Sequence, residues 1–397
     1  MSRVIVSIMS DQTIPNYIFI KENFRIGDEL LFISSRKMEP KIDWIVSTLD
    51  YVNCQIKTII LDINDEERWD EMIRKITNRL DAKNDYIVNL TCGTKYMSAA
   101  VQKVFELFKS EFYYIPFPKN EILMFGKENN PIYLNFRVGI AEYMKLHNVK
   151  YKNKTQIIDK DYTDKFFSYF IERKFSAAEW EVISLLRQYR DLEKVGNNYR
   201  LSRKIEISTV EAGLQKSKKS FSGIKDLSQF LKTIDFPLKE KGNIYESEIQ
   251  FLTGGWFEEY VFNMIIEKIK PTEIVLGVDI DQNEYTNKND LDVVFTYGNK
   301  LFVIECKTGI SKTEFKGEEA MFKEIAYKAA TIKGTLLGLP GNSFICSLSD
   351  GNEKFKTTAK KMGINYYDRS YFIEEIKINQ LISDIKFIAK DSSSHAN

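Results

Sequence analysis

The sequence predicts an α/β protein in which a helical connector joins two α/β units. In the first unit, short apolar runs alternate with amphipathic helical patterns. In the second unit, two apolar runs flank Gly298-Asn299, a dipeptide typical of a tight β-hairpin turn. Between the units the spacing of apolar residues is mainly helical. We place the units at residues 1–150, 151–245 and 246–390, with a disordered tail at 391–397. A winged-helix arrangement is one option for the connector.

The composition describes an ordinary globular protein and restricts its partners. Lys and Arg together number 57 against 56 acids, so the net charge of +1 provides no overall attraction to nucleic acid. The four cysteines never form a CxxC pair, which argues against a zinc site or a disulfide framework and favours a reducing cytoplasm. No apolar run approaches the length of a membrane span. We therefore predict a cytoplasmic protein that does not associate with a membrane.

The first unit is predicted to contain a parallel, doubly wound sheet. Apolar runs typical of strands lie at residues 4–8, 30–33, 56–61 and 86–90, and the clearest helical pattern between them spans 65–80. Strands that alternate with helices form parallel sheets. Ligands of such sheets bind beyond the carboxyl ends of the strands, so the loops at those ends are the first places to look for a site.

Two loops at strand ends have suitable chemistry. The first, SDQTIPN at residues 10–16, is small and polar, and Pro15 suits the first turn of the following helix. The second, TCGTK at residues 91–95, precedes a helix, where backbone amides, a glycine and a lysine could cradle a phosphate. It is not a Walker loop, because GxxxxGK[ST] is absent. The alternative is an ordinary turn with Thr91 or Thr94 as the helix N-cap.

The segment TCGTKYM, residues 91–97, resembles the T-G-G-T-K-x-M signature of CARF domains, the sensors of CRISPR-associated effectors. The resemblance extends over about the first 150 residues, with Cys92 in place of one glycine. It implies a Rossmann-like fold that binds a cyclic oligoadenylate, with cyclic tetra-adenylate as the expected ring, across a homodimer. The ligand-binding residues that it implies lie in the two loops: Ser10, Gln12, Thr13, Thr91, Gly93, Thr94 and Lys95.

The second unit is organised around the hairpin at residues 289–308. A two-residue turn pairs Tyr297 with Lys300, and counting outward places Asp292 opposite Glu305. Opposed residues on antiparallel strands have Cβ atoms roughly 4.5–5.5 Å apart, so two facing carboxylates repel unless a cation lies between them. Oxygen ligands favour Mg²⁺ or Mn²⁺. Strand alternation places Lys307 on the same face as Glu305.

A simpler interpretation puts these charges at frayed strand ends, where they meet only water. It accounts for Asp290, but Glu305 and Lys307 enclose Cys306 in the most apolar part of the segment, where unpaired charges are costly. Asp290 is a rival ligand, since it lies on the same face as Asp292. Around the hairpin we predict helices at 256–270, about 318–333 and from 371, and strands at 273–278 and 343–348.

The hairpin resembles the PD-(D/E)xK nuclease motif, with Leu291 in the place of the proline. The resemblance implies a restriction-endonuclease-like α/β fold in which Asp292 and Glu305 hold a divalent metal together with the main-chain carbonyl of Cys306. Lys307 then orients the attacking water and stabilises the phosphate. The family also places an acid on the first helix of the domain, for which we select Glu258, with Glu259 as the alternative.

The two resemblances together imply an ancillary nuclease of type III CRISPR defence. Cyclic tetra-adenylate would bind a homodimer and activate cleavage of DNA or RNA that depends on Mn²⁺ or Mg²⁺. Single-stranded substrates are favoured, and nicking of duplex DNA is an option. One alternative is a ligand-responsive transcription regulator that uses the connector as a winged helix and hydrolyses nothing. Another is a nuclease without ligand control. A CARF protein fused to a HEPN ribonuclease is also excluded. That ribonuclease needs an Arg followed by a His four to six residues later, and no Arg lies at that distance before His147 or His395.

Overall fold

The structure is a computed structural model. It describes residues 2–49, 54–62, 67–116, 119–127, 130–153, 159–172, 174–195, 200–216, 227–281, 289–308, 342–350 and 353–389. The helix predicted at about 318–333 and the tail at 391–397 lie outside these residues. Among the helices in the described ranges, none is both long and apolar enough to cross a membrane.

The first sheet is built from strands that appear where the apolar runs predict them. It consists of β1 (Arg3–Ile8), β2 (Glu29–Ser35), β3 (Ile56–Leu61), β4 (Asp85–Asn89), β5 (Ser110–Tyr114), β6 (Glu121–Met124) and β7 (Ile132–Tyr133). Within the described residues the order is β3-β2-β1-β4-β5-β6-β7. The first five strands in this order are parallel, and β6 and β7 are antiparallel additions. The predicted parallel, doubly wound sheet is therefore confirmed.

Helices cover both faces of this sheet, as the buried strands require. They are α1 (Ile14–Asn23), α2 (Pro40–Thr48), α3 (Trp69–Thr77), α4 (Lys95–Phe105) and α5 (Ile140–Lys145). One apolar core contains residues of α3 and α4, and the core on the opposite face contains residues of α1, α2 and α5. Pro15 occupies the first turn of α1, as the sequence predicts.

The connector is mainly helical. It contains α6 (Lys160–Ile171), α7 (Ala177–Val195), α8 (Ile207–Lys216), α9 (Leu227–Thr233) and an antiparallel pair formed by β9 (Lys204–Glu206) and β10 (Asn243–Tyr245). At its start, β8 (Lys150–Asn153) leaves the first unit and pairs with β11 (Glu273–Asp281) of the second sheet. The connector is thus joined to the second unit by strand pairing as well as by side-chain packing.

The second sheet holds the predicted hairpin at its centre. The hairpin is formed by β12 (Asn289–Tyr297) and β13 (Lys300–Lys307), followed by β14 (Ser343–Ser347) and β15 (Asn365–Tyr367). Across the described residues the order is β15-β14-β13-β12-β11-β8. The β13–β14 and β14–β15 pairs are parallel and the other pairs are antiparallel. This mixed sheet confirms the predicted α/β character of the second unit.

Helices flank this sheet, and all of them except α12 contribute to the core shared with the connector. They are α10 (Glu246–Gln250), α11 (Trp256–Ile269), α12 (Glu353–Lys361), α13 (Ser370–Ile373) and α14 (Glu375–Ala389). The sequence predicts a C-terminal helix from residue 371, and the structure has helix there with one interruption. The break lies at Glu374, whose backbone is extended (φ −101°, ψ 116°). The predicted helical region is therefore confirmed, and the break at one residue is not visible in the sequence because the helical spacing of apolar residues continues across it.

The opposite face of the second sheet packs on the first unit. Residues of β11, β12 and β13 share one apolar core with α1 and α5; they are Val275, Val278, Ile280, Leu291, Val294, Leu301 and Val303. The other face of the hairpin contributes Val293, Phe295, Phe302 and Ile304 to the core that contains α11 and the connector helices. The central hairpin therefore lies between two bodies, one on each face.

Candidate functional site

The two predicted ligand loops lie side by side at one point of the first sheet. Residues 10–13 follow β1 and residues 91–94 follow β4, and these two strands are neighbours. The chain runs from β1 toward β2 and β3 on one side and from β4 toward β5 on the other. The order of strands therefore reverses between β1 and β4, and such a switch point opens a crevice for ligands at the carboxyl ends of the strands.

Gly93 lets the second loop approach β1 closely. Its φ is +89°, a conformation that favours glycine, and a Cβ at this position would lie 2.5 Å from Cγ2 of Ile8. The Sγ of Cys92 also contacts the first loop, 3.6 Å from the carbonyl oxygen of Gln12. The loops are packed against each other, so they form one surface rather than two independent turns.

The side chains of two predicted ligand residues, Thr91 and Thr13, form hydrogen bonds with other parts of the protein. The hydroxyl of Thr91 donates to Oδ1 of Asn89 (2.5 Å) and accepts from the N–H of Ile115 (2.8 Å). Thr13 is buried and donates to the carbonyl oxygen of Leu146 (2.8 Å). These two side chains fix the shape of the crevice through hydrogen bonds that already exist without a ligand.

Other predicted residues face outward. Lys95 is exposed at the first turn of α4. Thr94 is exposed and caps the same helix, accepting from the N–H of Met97 at 3.1 Å, so the predicted N-cap role of Thr94 is observed. Gln12 is exposed, and its N–H donates to the hydroxyl of Ser10 at 3.2 Å. The crevice thus presents a helix N-terminus and a lysine, which together attract anions.

A buried pair of asparagines supports the crevice, and the sequence analysis missed it. The side-chain amide of Asn89 donates to Oδ1 of Asn16 (2.9 Å), and Asn16 donates to the carbonyl oxygen of Ile8 (2.8 Å). Both side chains are fully buried. The detectable signal is an asparagine at the end of an otherwise apolar strand, because a buried amide needs a partner.

The hairpin has the predicted register. Both Gly298 (φ +56°) and Asn299 (φ +59°) have left-handed backbones, as a two-residue turn of this type requires. Tyr297 pairs with Lys300, and the ladder continues to the pair Val293 and Ile304. Asp292 and Glu305 are the next residues outward on the two strands. The turn therefore brings the two predicted acids to the same end of the hairpin.

Lys307 links the two acids. Its Nζ lies 2.7 Å from Oε1 of Glu305 and 3.4 Å from Oδ2 of Asp292. Oδ2 of Asp292 also accepts from the N–H of Cys306 (2.6 Å), and Nζ of Lys307 donates to the carbonyl oxygen of Cys306 (3.1 Å). Asp292 and Glu305 are buried. The side chains and the carbonyl that the sequence singled out thus form one connected cluster.

Burial and neighbouring charges act in opposite directions on this lysine. Burial lowers the pKa of Lys307, but the negative charges of Asp292 and Glu305 more than offset that effect. The pKa of Lys307 therefore lies well above its ordinary value. The lysine keeps its proton at neutral pH and acts as a fixed positive charge at the end of the hairpin.

The helix α11 brings a third acid toward the cluster. Burial, and then the charge of Asp292, raises the pKa of Glu258 to about 8, while Lys307 acts in the opposite direction. Glu259 is buried elsewhere and accepts from the hydroxyl of Thr163 in α6 (2.7 Å). Of the two candidates on this helix, the structure brings Glu258 to the hairpin and engages Glu259 with the connector.

Asp290, the rival ligand, occupies a different position in the sheet. It pairs with Asp279 on β11 and is half-buried. Its charge contributes to the raised pKa of Glu258, after burial and Asp292, so it lies near the cluster. The contacts to Lys307 and to the N–H of Cys306 described above belong to Asp292.

The donor set is chemically suited to a hard divalent cation. Asp292, Glu305 and the carbonyl of Cys306 supply oxygen atoms, which Mg²⁺ and Mn²⁺ prefer. Among the described residues no group of three or more His, Cys, Asp or Glu side chains is arranged to hold a metal ion. Mg²⁺ is commonly bound through one or two carboxylates, with waters and substrate phosphates completing its shell, so the two-acid set fits that cation.

Two family models match the sequence, and they match separate regions. The model described as the Card1 CARF domain matches residues 4–143, which include both predicted ligand loops. The model described as the Card1-like endonuclease domain matches residues 245–376, which include α11 and the hairpin. Together they span most of the chain, and they leave the connector outside either match.

Solved structures with the same fold cover nearly the whole chain. Protein VC1899 from Vibrio cholerae matches with a TM-score of 0.73 and 15% sequence identity, over 98% of this chain and 99% of that one. Can2 from Sulfobacillus thermosulfidooxidans, solved in complex with cyclic tetra-adenylate, matches with a TM-score of 0.67 and 18% identity, over 98% and 99% of the two chains. No curated protein sequence matches the chain. At these identities the structural matches establish the fold.

Proposed function

Because the chain belongs to the CRISPR-associated proteins that join a CARF domain of the Card1 type to a Card1-like endonuclease domain, we propose that it is a nuclease activated by a cyclic oligoadenylate. Its proposed substrate is DNA or RNA, with single strands favoured, and its proposed role is antiviral defence in type III CRISPR systems. The observation that carries the nuclease proposal is the cluster of Asp292, Glu305 and Lys307 at the end of the central hairpin.

A divalent cation, Mg²⁺ or Mn²⁺, held by Asp292, Glu305 and the carbonyl of Cys306, would lower the pKa of a bound water and stabilise negative charge on the phosphate. The chain itself contributes Lys307, whose raised pKa keeps it positively charged. Next to the acids, that charge positions the phosphodiester and offsets the charge that develops on it. Glu258 on α11 lies within electrostatic reach of the same cluster and is our proposed additional catalytic acid.

The proposed activator is cyclic tetra-adenylate, because the structurally similar Can2 was solved with that ring. The crevice between β1 and β4 offers a helix N-terminus, exposed Lys95 and an exposed loop around Gln12. These groups suit the phosphates of such a ring. A ring with repeated phosphates matches a two-fold axis that presents the same crevice twice, so we propose a homodimer as the ring-binding form.

The proposed location is the cytoplasm. All four cysteines are free thiols, and Cys92, Cys306 and Cys346 are buried. Free thiols fit a reducing compartment. Burial raises the pKa of the Cys92 thiol to about 11, so it remains protonated in the crevice.

The test is cleavage of labelled single-stranded DNA, plasmid DNA and single-stranded RNA with Mn²⁺, with and without cyclic tetra-adenylate. We expect cleavage only when the metal and the ring are both present, and a chelator should stop it. Cleavage without the ring would retain the nuclease and reject the switch. Metal-independent binding to duplex DNA without hydrolysis would instead favour a ligand-responsive regulator.

A further inference from the structure

The side chain of Asn299 anchors the turn of the catalytic hairpin in the first unit. Asn299 is 1% exposed, although it occupies a tight turn. Its Oδ1 accepts from the N–H of Val138 (2.9 Å), and its Nδ2 donates to Oδ1 of Asn120 (2.9 Å) and to the carbonyl oxygen of Phe136 (3.2 Å). A two-residue turn does not need these bonds to form. They join the hairpin to a segment about 160–180 residues earlier in the chain.

That segment leads directly into the short helix α5, which also contacts the second sheet. The N–H of Ile140 donates to Oε2 of Glu273 on β11 (2.6 Å). Tyr143 is buried in the same apolar core as Leu301 of β13. The helix is therefore fixed to β11 by a hydrogen bond and to the hairpin by apolar packing.

The other side of α5 contacts the predicted ligand loop. The carbonyl oxygen of Leu146, directly after the helix, accepts from the buried hydroxyl of Thr13 (2.8 Å). Within the helix, Oε1 of Glu142 accepts from the hydroxyl of Tyr17 on α1 (2.5 Å). Thr13 precedes α1 and Tyr17 lies in its first turns. Any ligand that moves the loop at residues 10–13 therefore acts on groups that are bonded to α5.

The strand β13 leads from the core that it shares with α5 to the catalytic acids. Leu301, Val303 and Glu305 alternate along one face, so the face that packs on the first unit continues into the catalytic cluster. Glu305 lies six positions after Asn299, a span of about 20 Å in an extended strand. A small rotation of the hairpin about its anchored turn would displace the acids by more than the turn itself moves.

We propose that Asn299 is a positioning residue of the nuclease site and that α5 links the ring-binding crevice to the catalytic hairpin through it. The inference rests on the proposed function, because it takes the crevice as the sensor and the hairpin as the catalytic site. Contiguous hydrogen bonds and packing connect the two sites in this structure, and energetic coupling along them is what an experiment has to measure.

The key variant is Asn299→Gly. Glycine adopts a left-handed backbone readily, so the turn is retained while the three side-chain hydrogen bonds are lost. Asp235→Gly is a matched control, because Asp235 is also a non-glycine residue with positive φ (52°) and is exposed in the connector. Asn299→Asp keeps an acceptor for the N–H of Val138 but buries a carboxylate against the carbonyl oxygen of Phe136, so it should be at least as impaired as Asn299→Gly.

The readouts are the Kd for cyclic tetra-adenylate, kcat and KM for cleavage with Mn²⁺ and saturating ring, and hydrogen exchange of β12 and β13 with and without the ring. For Asn299→Gly we expect unchanged ring affinity, a kcat lowered roughly tenfold with unchanged KM, and loss of the ring-dependent exchange change in the hairpin. Asp235→Gly should match the wild type in all three measurements.

The outcomes separate this inference from the function on which it rests. If the wild type binds no ring, or cuts nothing, the proposed function is rejected. If the wild type is activated by the ring and Asn299→Gly is activated equally, only the positioning role of Asn299 is rejected. A loss in Asn299→Gly that is matched by lower ring affinity and lower Tm would show a general structural role, which also contradicts the inference.

Discussion

The crevice of the first unit and the hairpin of the second achieve their shapes by different means. The crevice is assembled from neutral groups that satisfy one another, such as the hydroxyls of Thr13 and Thr91 and the amides of Asn16 and Asn89. The hairpin instead concentrates ionised groups, with one lysine between two buried acids. A substitution in the crevice should therefore mainly alter the shape of the loops, whereas a substitution at the hairpin should mainly alter the charge of the cluster.

This difference matters for what each site can bind. A cradle whose side chains are already bonded internally meets its ligand mainly through backbone amides and the few exposed groups around it. A buried charge cluster has a large electrostatic effect on any group placed beside it, because the surroundings screen it poorly. The first arrangement suits recognition of a defined ligand, and the second suits stabilisation of charge that develops in a reaction.

The largest expected effect follows from removing charge at the hairpin. Glu305→Gln preserves size but removes one of the two carboxylates that hold Lys307. We expect the rate of ring-activated cleavage to fall by about 10³-fold, while the Kd for the ring stays unchanged. Initial rates with labelled single-stranded DNA and Mn²⁺, together with calorimetric ring binding, provide the measurement.

The control for that variant is Glu353→Gln. Glu353 is an exposed acid on α12 that pairs with Lys356 (3.2 Å), and exposed pairs of this kind contribute little. Its cleavage rate should remain that of the wild type. Rapid cleavage by Glu305→Gln, or a comparable loss in both variants, would contradict the distinction between a chemical role at the hairpin and a structural one.

The sequence alone predicts the hairpin site well, because its geometry is local. A two-residue turn fixes the pairing of every residue outward from it, and alternation fixes the face. The two strands that flank the Gly298-Asn299 turn therefore bring Asp292, Glu305 and Lys307 together. The choice between Glu258 and Glu259 depends instead on how α11 packs, and helical spacing does not determine it, since adjacent residues point in different directions.

The crevice is predictable to a smaller extent. The alternation of strands and helices identifies its two loops, because loops at the carboxyl ends of parallel strands share one edge. It does not reveal that Thr13 points inward to Leu146, a partner more than 130 residues away. The hydrogen bond between Asn299 and Val138 joins residues that are even farther apart in sequence, by 161 positions. A turn motif explains why an asparagine occupies that position, so it gives no reason to expect a second role.

A smaller effect is expected from the tight backbone of the crevice. Gly93→Ala places a Cβ against Ile8, whereas Gly126→Ala at a similar φ (+77°) meets no atom within 4 Å. Both variants have the left-handed strain, but only the first also forces a close contact. We expect Gly93→Ala to lower the free energy of unfolding by about 1–3 kcal/mol more than Gly126→Ala does, as measured by urea denaturation. Equal losses would show that the contact with Ile8 relaxes at little cost.

The smallest expected effect concerns an exposed charge at the crevice. Lys95 and Lys103 are exposed lysines at opposite ends of α4, so replacing either should hardly affect folding. Only Lys95 lies at the helix N-terminus beside Gly93, where its charge and the helix dipole act on an anion together. We expect Lys95→Ala to weaken ring binding about tenfold and Lys103→Ala to leave it unchanged.

Cleavage by Lys95→Ala should recover at high ring concentration, because the hairpin charges are intact. If saturating ring fails to restore cleavage, Lys95 affects more than ligand affinity, and the two regions are less separate than their chemistry suggests.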